Sequence, residues 1–167
     1  LRLARRLVLA EKQLQLLGWK IEPEHIQKAL RHVKKLTGLH GRWEVIHEHP
    51  IVVLDVGHNV DGMRQILAQI ELTDHLHLHM VIGFVKDKDI SNVLRLLPMQ
   101  ATYYSTRARI PRALPEDELK QRAQAIGLQG ETFPDVNTAL KAALLKAEKQ
   151  DLVLVCGSVF VVGEVEI

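Results

Sequence analysis

Ile51-Val52-Val53-Leu54-Asp55-Val56-Gly57-His58-Asn59 is the stretch whose reading decides the fold. Its first four residues are apolar and mostly β-branched, the composition of a short strand buried on both faces of a sheet. Asp55 and Gly57 interrupt that run, and Asn59 is placed to cap a helix over residues 59–71. A strand that turns directly into a helix is the repeating unit of an open α/β sheet, where ligands bind outside the carboxyl ends of the strands. The helix start adds unpaired N–H groups and a partial positive charge that suit an anion. Taken alone, the junction is a common one, and Asp55 reads equally well as a cap for the helix of Asn59.

Outward from this junction, hydrophobic patterning predicts strands over residues 43–47, 76–83, 101–105, 131–133 and 152–156. Helices are predicted over 90–97, 115–126 and 135–149, the last with Val136, Ala139, Leu140, Ala143 and Leu144 on one stripe. Alternating strands and helices joined by right-handed crossovers imply an α/β, Rossmann-like domain, a mostly parallel sheet with helices on both faces, from residue 41 onward. Ahead of it, Leu3, Leu7, Ala10, Leu14 and Leu17 recur at helical spacing and Gly18 supplies a stop. Pro23 then begins a second helix carrying Ile26, Ala29, Leu30, Val33 and Leu36, so residues 1–40 read as an α-helical hairpin.

With 167 residues and 47% hydrophobic content, the chain can bury one core, roughly 70% of its unfolded surface. Lys and Arg total 22 against 20 Asp and Glu, with no long basic block, so nucleic acid is not an expected partner. The lone Cys156 lies in the apolar run Leu152–Cys156, which excludes an intrachain disulfide and suits a reducing cytoplasm. Apolar runs are short and interrupted by charge, so neither a membrane nor secretion is expected.

Five segments then agree in order: Gly41-Arg42-Trp43-Glu44, Asp55-Val56-Gly57-His58-Asn59, residues 83–89, residues 108–115 (Ala-Arg-Ile-Pro-Arg-Ala-Leu-Pro) and residues 156–165. This series resembles the C-terminal domain of folylpolyglutamate synthase and dihydrofolate synthase, members of the Mur ligase superfamily. The resemblance covers residues 41–165 and implies an ATP-dependent ligase that adds L-glutamate to folate, with dihydropteroate as a second acceptor left open. ATP, Mg2+, L-glutamate and the folate or dihydropteroate are the implied partners. It further implies that residues 1–40 are the last helices of a truncated N-terminal ATPase domain and 41–167 the C-terminal domain. Apolar positions Leu3, Leu7, Leu14 and Leu17 would then need another cover, and self-association through them is expected.

No Gly-x-x-x-x-Gly-Lys-Ser/Thr pattern occurs in the chain, so the phosphate cradle and the magnesium ligands are expected outside it, and no catalytic residue is assigned within it. By resemblance, Arg42 faces the ATP phosphates, a task that a planar guanidinium performs well. Asp55 is the family's nucleotide-binding aspartate, His58 its histidine beside the base, and Ser158 marks a segment near the incoming amino acid. The family's usual Asp-Gly-Ala-His-Asn-Pro is altered here: the small residues are permuted and the proline is absent, while Asp, His and Asn keep their spacing. Likewise Leu39-His40-Gly41 replaces the usual Trp-Pro-Gly. Lys86-Asp87-Lys88-Asp89 reads as a solvated loop with Asp89 capping the next helix.

His75, His77 and His79 alternate along a predicted strand and so share a face, but no Cys, Asp or Glu stands beside them at ligand spacing, and they read as structural. Two other functions stay open on sequence: a Mur-type ligase acting on a peptidoglycan precursor, and a non-enzymatic Rossmann-like binding domain.

Overall fold

The apolar runs assemble into one six-stranded sheet in the computed structural model, which describes residues 2–38, 40–86 and 90–166. The strands are β1 (Glu44–Glu48), β2 (Ile51–Asp55), β3 (Leu78–Ile82), β4 (Thr102–Ser105), β5 (Gln129–Thr132) and β6 (Leu152–Cys156). Their order in the sheet is β1-β2-β6-β3-β4-β5. Every neighbouring pair is parallel except β1 and β2, which are antiparallel. β6 and β3 are buried along their whole length, as central parallel strands must be when helices cover both faces.

Alternation along the strands divides the core into two layers. Val53, Met80, Ile82, Tyr103, Leu154 and Cys156 face the helices α4 (Val60–Glu71), α5 (Ser91–Leu94) and α6 (Glu116–Gln124). Val52, Leu54, Val81, Tyr104, Val153 and Val155 face α7 (Val136–Lys146) and α8 (Val159–Gly163). In α7 the residues against the sheet are Val136, Ala139, Leu140 and Ala143, and the small alanines let the helix lie close. Asp135 starts this helix by accepting the Thr138 N–H at 2.9 Å. The helix ends at Lys146, three residues earlier than periodicity suggests, because Ala147 is extended and Asp151 captures the Glu148 N–H at 2.7 Å.

The chain separates into two compact units, residues 1–39 and 40–167. The first holds α1 (Arg2–Leu16), α2 (Pro23–Arg31) and α3 (Val33–Thr37). Pro23 occupies the first turn of α2, and the Glu22 N–H donates to His25 Nδ1 at 3.1 Å. The single second helix expected from periodicity is interrupted at His32, just before β-branched Val33, which gives α2 and α3 in its place. Leu14, Leu17 and Trp19 are exposed within this unit, while the side chains of Leu3 and Leu7 lie outside the described residues. No helix among the described residues is long and apolar enough to cross a membrane.

The three histidines do not form one row. β3 begins at Leu78, and His75 precedes it with Nδ1 2.7 Å from the Thr73 carbonyl. His77 Nε2 bonds Thr102 Oγ1 at 2.8 Å. Buried His79 lies between the Tyr104 hydroxyl, 2.9 Å from Nδ1, and the Asp151 carboxylate, 3.3 Å from Nε2. A neutral ring fits both partners: Nε2–H donates to Asp151 and Nδ1 accepts from the tyrosine. Burial pulls the His79 pKa below its ordinary value, against the hydrogen bond it donates to Asp151. Burial pushes Asp151 upward, but the Glu148 N–H, the His79 ring and the His77 N–H outweigh it and hold the carboxyl below its usual range.

Both shifts act in the same direction on stability. Between the folded and unfolded pKa values the unfolded chain binds more protons, so acid favours unfolding. The His79 contribution is intact above its unfolded value of 6.5 and is lost as pH falls from there through the lowered folded value. Urea unfolding between pH 8 and 5 should show stability falling below pH 6.5, and His79→Gln should flatten that slope.

Candidate functional site

Three loops meet at the carboxyl end of the sheet, because β2 and β3 flank β6 in matching register: Asp55 and Ile82 both pair with Cys156. The Gly157 N–H donates to the Gly57 carbonyl at 3.0 Å, tying the β6 exit to the β2 exit. Gly157 has φ +101, and a Cβ there would stand 2.5 Å from the Gly83 carbonyl oxygen. Only glycine fits that convergence.

A cleft of about 290 Å³ opens at the β2 exit and is lined by Arg42, Asp55, Gly57, His58, Asn59 and Gln65, among others. Three of the residues singled out from sequence, Arg42, Asp55 and His58, are therefore brought together. Each is positioned differently. Asp55 Oδ2 accepts the Trp43 N–H at 2.8 Å and Oδ1 accepts the Gly57 N–H at 2.8 Å, so its carboxylate joins the turn before β1 to the turn after β2. Each oxygen keeps a second lone pair for a ligand hydroxyl. His58 Nδ1 lies 3.0 Å from the Val56 carbonyl, which only accepts, so Nδ1 carries the proton and Nε2 is left for a ligand. Arg42 is exposed, with its guanidinium only 3.4 Å from its neighbour Gly41's carbonyl. Asn59 Oδ1 accepts the Gly62 N–H at 2.8 Å and starts the twelve-residue helix α4 at the cleft, adding a positive dipole end.

Ser158 does not line that cleft. It is buried and caps α8, its Oγ accepting the Phe160 N–H at 3.2 Å. Helix α8 itself was not foreseen, because Val159-Phe160-Val161-Val162 reads as strand material and only the Ser158 cap marks a helix start.

Sequence reasoning also missed a second cavity at the same end of the sheet, beyond β3 and β4. It measures about 650 Å³ and is lined by Lys86, Arg107, Arg109, Pro111, Pro115 and Asp135, among others. Arg107 pairs with Glu116 at 3.1 Å, and the Arg109 N–H donates to the Glu164 carboxylate at 2.6 Å. The Thr138 backbone and hydroxyl hold the Asp135 carboxyl below its usual range. The alternation Arg107-Ala108-Arg109 directly after β4 was the signal available: two cations at a strand exit, where open α/β sheets bind ligands. The expected Asp89 cap lies outside the described residues. Among the described residues no group of three or more His, Cys, Asp or Glu side chains is placed to hold a metal ion.

Comparison with known proteins identifies the family. Residues 41–159 match the family model described as Mur ligase, glutamate ligase domain. The chain is 34% identical over 145 residues to a probable bifunctional folylpolyglutamate synthase/dihydropteroate synthase of Haloferax volcanii, covering 86% of this chain and 17% of that protein. It is 32% identical over 129 residues to the dihydrofolate synthase/folylpolyglutamate synthase of Escherichia coli K12, covering 76% of this chain and 30% of that protein. Among solved structures, E. coli FolC in complex with DHPP and ADP superposes with a TM-score of 0.75 at 28% identity, over 89% of this chain and 34% of that one. The chain thus spans less than a third of the length of these two curated relatives.

Proposed function

The chain belongs to the Mur ligase family, within its glutamate ligase domain, and from that premise we propose that it supplies the nucleotide-closing and amino-acid-receiving half of an ATP-dependent ligase that joins L-glutamate to a folate. The observation that carries this reading is the pairing of two sites at one end of the sheet, the Arg42–Asp55–His58 cleft and the cationic cavity of Lys86, Arg107 and Arg109. In such a reaction ATP transfers its γ-phosphoryl group to a carboxylate, the glutamate amine attacks the acyl phosphate, and ADP and phosphate leave. No nucleophile from the protein is required.

The roles are those the family resemblance implies, and the placement of the side chains is compatible with them. Arg42 offers a planar pair of donors to the phosphates, Asp55 directs its remaining lone pairs to ribose hydroxyls, and His58 Nε2 meets the base. A dicarboxylic amino acid suits a cavity where Lys86 and Arg109, with Arg107 paired to Glu116, outweigh the single lining carboxylate of Asp135. Magnesium, when bound, would supply charge neutralisation at the phosphates; no residue of this chain is assigned to that ion. We place the phosphate cradle and the pterin pocket in the remainder of the full-length protein, and residues 1–40 with that remainder. Dihydropteroate is a second candidate acceptor, and the cytoplasm is the compartment that suits the buried, unpaired Cys156, whose thiol burial pushes up.

Two measurements test this. The isolated chain should bind ATP with a dissociation constant on the order of millimolar or weaker, ~4 kcal/mol, and incorporate no glutamate. In the full-length protein, Arg42→Ala should lower kcat/KM for ATP at least about tenfold, more than 1.4 kcal/mol. Micromolar ATP binding or turnover by the isolated chain would sink the proposal.

A further inference from the structure

The turn that carries Arg42 has an unusual backbone. Gly41 lies at φ +68 and Trp43 at φ +46, the left-handed region that side-chain-bearing residues rarely adopt. Three hydrogen bonds hold it there. The Val56 N–H donates to the Gly41 carbonyl at 3.0 Å, and the Trp43 N–H donates to Asp55 at 2.8 Å. The third runs from the Gly41 N–H to Glu44 Oε2 at 2.9 Å. Glu44 is the first residue of β1, and its side chain is only 9% exposed. His40, on the far side of the turn, lies 3.3 Å from the same carboxylate but is largely exposed, so the Gly41 amide is its better-sheltered partner. The fit is close: a Cβ on Gly41 would stand 2.6 Å from Val56 Cγ1 and 2.9 Å from Val162 Cγ1. Trp43 packs against the core while Arg42, between them, lines the cleft.

We infer that Glu44 is a positioning residue for the nucleotide: by accepting the Gly41 amide it closes the Gly41–Trp43 turn and thereby aims Arg42 into the cleft. Glu44 itself does not line the cleft. The inference rests on the nucleotide reading of Arg42 given above. It makes acceptor reach, rather than negative charge, the property that matters at position 44. Glutamine keeps an oxygen at the same reach, whereas aspartate keeps the charge and falls one methylene short.

Steady-state kinetics of the full-length protein, with ATP varied, decide it. Glu44→Asp should raise KM for ATP about fivefold or more with kcat within about threefold, and Glu44→Gln should stay within about twofold of the parent. Because Glu44 acts through Arg42, adding Glu44→Asp to Arg42→Ala should change KM by no more than about twofold further. With Arg42→Ala impaired, a silent Glu44→Asp, an impaired Glu44→Gln, or a multiplicative double variant would overturn the positioning role while leaving the nucleotide site standing. A silent Arg42→Ala would remove the nucleotide reading itself, and this inference with it.

Discussion

Asp55→Ala should cost both activity and stability. In the full-length protein we expect ligase turnover to fall at least about tenfold, since a cleft-lining carboxylate and the clamp on the Arg42 turn are lost together. The stability effect arises in the backbone. Alanine leaves the Trp43 and Gly57 N–H groups without their acceptor in a half-buried region. Orphaned donors cost about 1–3 kcal/mol each, so a loss of roughly 2–4 kcal/mol is expected. Thermal melting followed by circular dichroism measures it directly. An unchanged melting temperature with lost activity would mean that Asp55 serves the ligand alone; an unchanged turnover would remove it from the site.

Gly157→Ala should be more damaging still. Alanine at φ +101 is strained whatever the space, and here its Cβ would meet the Gly83 carbonyl oxygen at 2.5 Å and the Phe84 ring at 3.1 Å. Neither neighbour can yield cheaply: Gly83 follows a central strand, and Phe84 is buried at 2% exposure. We expect a loss of more than about 3 kcal/mol, seen as insoluble or unfolded protein. Gly163→Ala is the matched control. It lies in α8 with nothing within 4 Å of the added Cβ, and should be neutral or slightly stabilising. A soluble, cooperatively melting Gly157→Ala protein would show that the three loops are less tightly joined than described.

How much of this was legible in the sequence depended on which forces act locally. β2 and β6 occupy the residues predicted, because a run apolar on both faces has no other comfortable place. The starts of α4 and α7 were equally readable, since Asn59 and Asp135 cap them with their own side chains. Signals that depend on distant partners were not. β3 starts two residues later than its apolar pattern suggests, because the Leu76 N–H is taken by the Gln150 carbonyl and its side chain stays exposed. The Arg42–Asp55–His58 grouping was anticipated by resemblance. What no local pattern could show is that Asp55 and Glu44 grip the same turn from opposite sides, since residues 41–44 and 55–57 meet only through sheet pairing.

The place of β6 in the sheet has a consequence for how this protein is made. Its partners β2 and β3 are each paired with a strand that lies far downstream; Ile51 meets Leu152, about a hundred residues later. During translation β2 and β3 therefore emerge with unpaired inner edges and with apolar faces that only partly find cover. The sheet closes when β6 threads into the gap between them, and only then can the Gly157 N–H reach the Gly57 carbonyl. Such non-local closure is slow and exposes sticky intermediates. A nascent chain stalled before Asp151 would thus be an orphan for chaperones rather than a partly working domain, and the cleft would come into being in a single late event, when β6 is added to the sheet.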